Sequence, residues 1–167
     1  MKVEKIIVLG LSPTAKYVGK EAYLFNIKCI AFDFKNGPSK YSRYFENTEI
    51  ISESELLEKL KRDYLNDGVS YYVCPTSDEW VEFLHKNKIL FENTNLKTSL
   101  SYLDGSYTLL ADKFELMSIS NKIGLNYPKS ILFISNNTNS PDFSSLDFPI
   151  FVKPSNRVGL ASVMQGK

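Results

Sequence analysis

The sequence has few of the residues that build metal centres and disulfide frameworks. It contains two cysteines and one histidine, and because the cysteines form no paired motif, we expect neither a metal centre nor a disulfide. Cys29 and Cys74 each lie in an apolar run typical of a strand, which predicts buried, reduced thiols and a cytoplasmic protein. His85 lies in a polar stretch of a predicted helix, and we expect it at the surface.

The sequence also lacks an excess of charge and a long apolar run. Lys and Arg total 20, against 19 Asp and Glu, for a net charge of +1. Bulk charge therefore gives no reason to expect a nucleic-acid partner or a membrane surface. The run Ile6–Leu9 is far too short for a signal peptide, and no stretch approaches the length of a membrane span. The composition is that of an ordinary globular protein.

Apolar runs alternate with amphipathic segments over roughly the first hundred residues. The apolar runs predict strands at 4–10, 27–33, 49–51 and 70–74. Polar caps predict helices that begin near Ser12, Ser52 and Thr76. This alternation predicts a doubly wound α/β domain, with a parallel Rossmann-like sheet and helices on both faces. The segment 93–105 has weak helical patterning and is expected to lead to a second unit.

The second unit opens with a well-delimited helix. Asp112 is a good N-cap, and Glu115 stands where it closes a capping box. Gly124 and Pro128 end the helix. Its apolar face is formed by Phe114, Leu116, Met117, Ile119 and Ile123. A strand is predicted at about 130–135, followed by an exposed loop rich in Asn, Ser and Thr.

A lysine directly follows an apolar run near the end of the sequence. Residues 148–152 predict a buried strand, Lys153 stands at its end, and Pro154 prevents further pairing. A polar loop with Ser155 and Arg157 follows. A positioned cation followed by backbone N–H donors is suited to holding a polyphosphate. The alternative is a strand that ends in a solvated lysine, and spacing alone favours this alternative.

Taken together, the two segments resemble the ATP-grasp superfamily of carboxylate–amine ligases. The shared pattern is Asp-Lys at the start of a helix, Ile-Gly-x-x-x-Pro at its end, and Phe-Pro-x-x-Val-Lys-Pro further along the chain. The resemblance implies that Lys113 and Lys153 contact ATP, and that the loop with Ser155 and Arg157 forms a lid over its phosphates. The loop departs from much of the family, because Gly159 is its one glycine.

The resemblance also implies a domain order. Residues 1–105 would form a Rossmann-like pre-ATP-grasp domain, and residues 106–167 the truncated beginning of the ATP-grasp N-terminal subdomain. The implied cofactors are ATP and Mg²⁺, and the implied substrates are a small-molecule carboxylate and an amine. We expect the catalytic residues and the Mg²⁺ ligands beyond Lys167, and therefore an inactive fragment. The sequence leaves open whether the chain forms a homodimer.

The end of the first predicted strand has several parts of a dinucleotide site. They are a glycine turn at Gly10, a helix capped by Ser12, and an acid, Asp33, at the end of the second strand. The fingerprint lacks its second glycine, so a side chain stands where a pyrophosphate needs close backbone approach. A capping turn is therefore favoured over an NAD site. Ser12 is also a candidate to border the amine or carboxylate substrate.

Three further residues are candidates for substrate binding. Asp78 and Glu79 follow a predicted strand at the edge where α/β sheets place ligands, although acids also stabilise a helix start through the helix dipole. The tetrapeptide Thr76–Glu79 resembles D-aspartate ligase-like members of the superfamily. Arginine pairs bidentately with carboxylates, which makes Arg43 a candidate clamp, whereas a solvated loop arginine is the more common role.

The sequence thus predicts the N-terminal part of an ATP-dependent ligase that works through an acyl phosphate. The alternative is a non-catalytic Rossmann-like module that binds a nucleotide or a small metabolite, in which Lys153 is only structural.

Overall fold

The computed structural model describes residues 3–104, 106, 112–132 and 142–152. Contacts between Cα atoms divide the chain into two units, Met1–Gly105 and Ser106–Lys167. The elements of the first unit are β1 (Lys5–Leu9), α1 (Pro13–Leu24), β2 (Lys28–Asp33), β3 (Asn47–Ile50), α2 (Glu53–Lys59), β4 (Tyr71–Pro75), α3 (Asp78–Lys86), α4 (Lys88–Phe91), β5 (Leu96–Lys97) and α5 (Leu100–Leu103). The described part of the second unit contains α6 (Lys113–Lys122).

The strands of the first unit form one parallel sheet in the order β3-β2-β1-β4-β5. The central strand is β1, where Lys5 aligns with Lys28 of β2 and with Tyr71 of β4. The chain winds outward from β1 to β3 and then crosses back to β4. The predicted Rossmann-like α/β fold is confirmed, and ligands of such folds bind at the carboxyl ends of the strands beside this reversal.

Alternate residues of β1 pack against opposite faces of the sheet, as the pleat requires. Ile7 and Leu9 belong to the larger cluster of buried side chains, and Val8 belongs to the smaller one. Residues of α2 and α3 complete the larger cluster, among them Leu56, Trp80, Phe83 and Leu84. Ala15 and Ala22 of α1 complete the smaller cluster. Helices therefore cover both faces of the sheet, as predicted.

Two of the three polar caps predicted in the first unit are present, at Ser12 and Ser52. The third, at Thr76, is wrong, because α3 begins after Ser77 and the Ser77 side chain makes no capping bond. The hydroxyl of Ser12 accepts a hydrogen bond from the Ala15 N–H over 3.4 Å, and Pro13 is the first residue of α1. The capping box at α2 is complete: the Ser52 hydroxyl accepts from the Glu55 N–H, and the Glu55 carboxylate accepts from the Ser52 N–H over 3.0 Å. Each bond satisfies a donor that the first helical turn leaves without a partner.

The helix that begins at Ser52 changes its winding part of the way along. A π-helical turn, Leu60–Tyr64, follows α2 where the sequence predicted one continuous α-helix. The wider turn keeps Leu60 fully buried. It also places the ring of Tyr64 edge-on to Phe32 and Tyr71, with centroids 6.2 and 5.4 Å away. The π-helical turn thus contributes Leu60 and Tyr64 to the packing against the sheet.

The helical prediction for 93–105 is wrong over its first half. Leu96 and Lys97 form β5, which pairs in parallel with Tyr71 and Tyr72, and only Leu100–Leu103 is helical. The backbone carbonyl of Asn95 accepts from the Tyr71 N–H over 2.9 Å. The side-chain amide of Asn95 donates to the carbonyls of Tyr64 and Val69. These bonds fix the chain at the start of β5, and none of them has a periodic signature in the sequence.

The surface placement of His85 is also wrong. Its side chain is half-buried, and Nδ1 lies 3.2 Å from the carbonyl oxygen of Leu103. This contact arises because α5 packs against α3. The imidazole therefore joins two helices within the first unit.

In the second unit, the predicted bounds of the helix are confirmed. Asp112 caps α6 through one carboxylate oxygen, which accepts from the N–H groups of Phe114 and Glu115 over 2.8 and 3.1 Å. Gly124 ends the helix with φ +72°. The N–H of Gly124 donates to the Asn121 carbonyl, and the N–H of Leu125 to the Ser120 carbonyl. This pair of bonds is a Schellman motif, in which glycine accommodates the left-handed backbone.

The two strands predicted after α6 are not found among the described residues. Residues 130–132 have no regular structure, and 133–135 lie outside the described part of the chain. Residues 148–152 are likewise irregular, and Phe148, Phe151 and Val152 are 80 to 88% exposed. The prediction of a buried strand there is wrong because a strand needs a neighbour for its backbone groups. The described residues of this unit provide none.

Candidate functional site at the carboxyl edge of the sheet

The carboxyl ends of β1, β2 and β4 are tied together by backbone and hydroxyl bonds. The N–H of Gly10 donates to the Phe32 carbonyl over 2.7 Å. Thr76 donates both its N–H and its hydroxyl to the Leu9 carbonyl, over 2.8 and 3.0 Å. These bonds prolong the pairing beyond the last strand residues. They give the edge a fixed backbone on which side chains can be positioned.

The carboxylate of Asp33 is the hydrogen-bonding centre of this edge. One oxygen accepts from the Leu11 N–H over 2.6 Å. The other accepts from the Phe34 N–H and from the indole Nε1–H of Trp80, over 2.8 and 3.2 Å. The residue is 9% exposed. Because these three donors belong to the β1–α1 turn, the β2 end and α3, Asp33 links three segments that are distant in the sequence.

An aromatic stack lies beside this carboxylate. The rings of Phe34 and Trp80 are 4.0 Å apart between centroids and 15° from parallel. Trp80 is fully buried, while Phe34 is 37% exposed. Gly10, with φ +108°, completes the packing, because a Cβ there would collide with the Thr76 hydroxyl and lie 3.2 Å from the Trp80 ring. At this edge, the partly exposed ring of Phe34 is therefore stacked on the buried ring of Trp80.

Ser12 lies in the middle of this arrangement and is half-buried. Besides capping α1, its hydroxyl donates to the Thr76 carbonyl over 3.4 Å. Its own carbonyl accepts from the hydroxyl of Ser39 over 2.6 Å, and the Ser39 N–H donates to the Leu11 carbonyl. The loop after β2 therefore holds the β1–α1 turn from the other side. Ser12 thus lies at the carboxyl edge, where its hydroxyl already has a donor and an acceptor in the protein.

Asp78 and Glu79 lie at the same edge, in the first turn of α3, and both are exposed. The Ser77 hydroxyl donates to the Glu79 carboxylate over 3.4 Å. Their position at the helix N-terminus is favourable for acids. Since Ser12 bonds to Thr76, two residues before Asp78, the structure brings these three sequence-predicted residues to one sheet edge.

Arg43 does not lie with them. Its guanidinium is 5.3 Å from the ring centroid of Tyr44, which packs 5.7 Å from the ring of Tyr23 near the C-terminus of α1. Because α1 runs back along the sheet, its C-terminus lies at the opposite end from the carboxyl edge. The neighbouring Glu46 pairs with Lys28, the first residue of β2. The structure thus separates Arg43 from Ser12, Asp78 and Glu79.

Of the residues predicted to contact ATP, Lys113 is described. It is exposed and occupies the first position of α6, directly after the Asp112 cap. Lys153, Ser155 and Arg157 lie outside the described residues. Their roles stay predictions.

A cleft of about 450 Å³ lies elsewhere, between β3 and α2, and contains none of the predicted residues. Its charges are partly paired, since Lys59 bonds Glu49 over 2.7 Å. This hydrogen bond raises the pKa of Lys59. The described part of the chain contains no group of three His, Cys, Asp or Glu side chains placed to hold a metal ion. Within that same part, no helix is long and apolar enough to cross a membrane.

The aromatic stack is the feature of the edge that the sequence did not predict. Trp80 is fully buried, and neither its bond to Asp33 nor its contact with Phe34 has a local signature in the sequence. The sequence offers Asp33 as the acid of a dinucleotide site, because it stands at the end of the second predicted strand. In the structure its carboxylate accepts bonds from the protein itself.

Comparison with known proteins bears on the fold. No protein-family model matches the chain, and no curated protein is detectably similar in sequence. Eighteen chains of solved structures do match. One is the crystal structure of N5-carboxyaminoimidazole ribonucleotide synthetase from Thermotoga maritima, with a TM-score of 0.53 and 18% sequence identity. The match covers 76% of this chain and 32% of that one, so the chain spans about a third of the synthetase. The chain therefore has an α/β fold that matches the N-terminal part of that enzyme.

Proposed function

We propose that the chain is the N-terminal part of an ATP-dependent carboxylate–amine ligase of the ATP-grasp type. The observation that carries the proposal is the fold match, because the matched synthetase is an ATP-grasp protein. The lysine pattern supports it independently, since Lys113 follows a helix cap where the superfamily places an ATP contact. Residues 1–105 would be the Rossmann-like pre-ATP-grasp domain, and 106–167 the start of the ATP-grasp N-terminal subdomain.

In the proposed reaction, a substrate carboxylate oxygen attacks the γ-phosphorus of ATP, the bond to the β–γ bridging oxygen breaks, and an acyl phosphate and ADP result. An amine then attacks the acyl carbon and releases phosphate. Lys113 and Lys153 would neutralise phosphate charge during the transfer, which is largely electrostatic work. Ser155 and Arg157 would belong to the lid. The described residues present no group of His, Cys, Asp or Glu side chains placed to hold a metal ion. Mg²⁺, when bound, would neutralise further phosphate charge.

The carboxyl edge of the first unit is the proposed place for a small-molecule substrate. Ser12, Asp78 and Glu79 lie at this edge, and the acids suit an amine. Arg43 is left out of this proposal because it lies at the other end of α1. The D-aspartate ligase-like subtype rests on Thr76–Glu79 alone and stays a prediction. Since the chain spans 32% of the matched synthetase, we propose that these residues alone do not turn over substrate.

Calorimetric titration with ATP and Mg²⁺ tests the proposal on the longest native form of the protein. Lys113→Ala and Lys153→Ala should each weaken binding by roughly tenfold or more, because each removes a charged phosphate contact of about 1.5 to 3 kcal/mol. Lys122→Ala is the matched control: it removes an exposed lysine from the last turn of the same helix. The control should bind ATP like the unaltered protein.

The alternative is a non-catalytic module that binds a nucleotide or a metabolite. For a dinucleotide, Asp33 would have to bind a ribose, yet its carboxylate is buried and already accepts three N–H groups. This arrangement disfavours the dinucleotide form of the alternative. If ATP does not bind, or binds equally well to both lysine variants, the ligase proposal fails and a module for another small metabolite is the better interpretation.

A further inference from the structure

The outward face of α1 carries large apolar side chains where a surface helix usually carries polar ones. Ala15, Gly19 and Ala22 are buried on the inward face. On the opposite face, Tyr17 and Leu24 are 67% and 61% exposed. They are seven positions apart, which is about two helical turns, so they lie on one line along the helix.

Two opposite charges lie between them. Lys20 and Glu21 are exposed and, by their spacing from Tyr17 and Leu24, share the outward face. No ion pair between described residues uses either side chain. The four residues Tyr17, Lys20, Glu21 and Leu24 are called the α1 stripe below.

The α1 stripe is complementary to itself. Two copies of α1 can pack antiparallel about a two-fold axis that passes between Lys20 and Glu21. Each residue before this midpoint then faces the residue equally far after it in the second copy. Tyr17 then faces Leu24 of the second copy, and Lys20 faces Glu21. Both apolar groups meet apolar groups, and both charges meet opposite charges. We propose that the α1 stripe is the centre of a weak homodimer interface of this chain.

Neighbouring side chains extend the same surface. Tyr23 packs on Tyr44, whose ring lies against Arg43. Phe25, at the end of α1, is 73% exposed, and in the two-fold arrangement it faces Lys16. Tyrosine, phenylalanine and arginine are the residues that protein interfaces favour over the rest of a surface. Arg43 thereby gains a role that its distance from the carboxyl edge does not give it.

The size of the surface indicates how strong the dimer is. A helix pair of about three turns with its flanking aromatics buries less than the roughly 1,200 to 2,000 Å² of a standard stable interface. Because the net charge is only +1, two copies of the chain repel each other little at long range. The dimer should therefore form reversibly, with a dissociation constant in the micromolar range or weaker.

Sedimentation equilibrium of the 167-residue chain, over a range of concentrations, tests the proposal. The unaltered chain should show a monomer–dimer equilibrium. With Lys20→Glu, both facing pairs of positions 20 and 21 consist of two carboxylates, which repel each other. With Glu21→Lys, both pairs consist of two ammonium groups. Each should weaken dimerisation about tenfold or more. Leu24→Asp should weaken it as well, by placing a charge against Tyr17 of the second copy. Lys88→Glu, at an exposed lysine of α4, is the control and should dimerise normally.

Charge exchange makes the test specific. An equimolar mixture of the Lys20→Glu and Glu21→Lys chains should form heterodimers, because every facing pair is then opposite in charge. The double variant with both changes should dimerise like the unaltered chain. Circular dichroism checks that each variant is folded. The proposal is overturned if the unaltered chain is monomeric at every concentration. It is also overturned if the α1 stripe variants dimerise like the unaltered chain, or if the mixture of the two charge variants forms no heterodimer.

Discussion

The indole Nε1–H of Trp80 donates to the same carboxylate oxygen of Asp33 that accepts the Phe34 N–H, over 3.2 Å. The bond spans 47 positions of sequence and is buried. It makes the start of α3 dependent on the end of β2, so the two elements hold each other in place at the carboxyl edge.

Asp33→Asn should destabilise the first unit by about 2 to 3 kcal/mol. One oxygen serves Leu11 and the other serves Phe34 and Trp80. The side chain of asparagine has one oxygen, which can accept the bonds made by only one of the two carboxylate oxygens. Its NH₂ group must then face an N–H donor in place of the other oxygen. Urea denaturation, followed by circular dichroism, measures the change. Glu79→Gln, an exposed acid at the same edge, should change stability by only a few tenths of a kcal/mol. An Asp33→Asn chain as stable as this control would contradict the network.

Gly10→Ala should cost more than its backbone conformation alone explains. Gly10 and Gly68 both have positive φ, +108° and +82°. A Cβ at Gly68 meets nothing within 4 Å, whereas a Cβ at Gly10 collides with the Thr76 hydroxyl and approaches Trp80. Gly68→Ala should therefore cost about 1 to 2 kcal/mol from backbone strain. Gly10→Ala should add about 1 to 3 kcal/mol of overpacking. Equal urea midpoints for the two variants would argue against close packing at Gly10.

The capping box makes the start of α2 sensitive to acid. Hydrogen bonds from the Ser52 side chain and backbone lower the pKa of Glu55. Because the folded pKa is below the ordinary value, the stabilisation is present above that ordinary value and is lost as the pH falls through the lowered one. NMR titration of the Glu55 carboxyl should show its pKa moving up in Ser52→Ala. Ser120→Ala, which removes a serine hydroxyl from α6 instead, should leave the pKa of Glu55 unchanged.

Cys29 should resist alkylation in the folded protein. Burial, with a smaller contribution from nearby Cys74, raises the pKa of Cys29 to about 12. Burial also raises the pKa of Cys74, which is half-buried. At pH 8, mass spectrometry after iodoacetamide should show Cys74 modified before Cys29, since thiolate is the reactive form. Urea should equalise the two rates. Faster modification of Cys29 in the folded chain would contradict its buried position.

The same shift predicts how stability changes in alkali. The unfolded Cys29 thiol ionises near pH 9.0, whereas the folded one stays neutral to about pH 12. Stability from this group is therefore complete below pH 9 and declines as the pH rises above it. Cys29→Ala should show a shallower loss of stability between pH 9 and pH 11 than the unaltered chain. Parallel slopes would show that Cys29 does not contribute.

The central strands and first helix were predictable because their signals are local. A strand such as β1, buried on both faces, reads as an unbroken apolar run, and α1 has a serine cap, a proline and a stop at Asn26. By contrast, β5 has two residues, and its pairing with Tyr71 and Tyr72 defines it rather than any pattern of its own. The run 148–152 has a strand pattern but lacks a partner among the described residues.

The candidate site was only partly predictable for a related reason. Ser12, Asp78 and Glu79 could be placed because strand ends of a parallel sheet meet at one edge. The role of Asp33 could not, because a partner 47 positions later decides it. The position of Arg43 was unpredictable as well, since the loop between β2 and β3 has no helix whose periodicity would orient it.

The placement of β1 in the middle of the sheet has a consequence for how the chain folds during synthesis. Its first residue, Lys5, needs partners at both Lys28 and Tyr71. A growing chain that has emerged only as far as β3 leaves one hydrogen-bonding side of β1 open, and a bare strand edge is a template for pairing with other chains. The interval before β4 emerges is therefore when a nascent molecule is most exposed to aggregation, and slow translation between residues 34 and 70 would lengthen that interval.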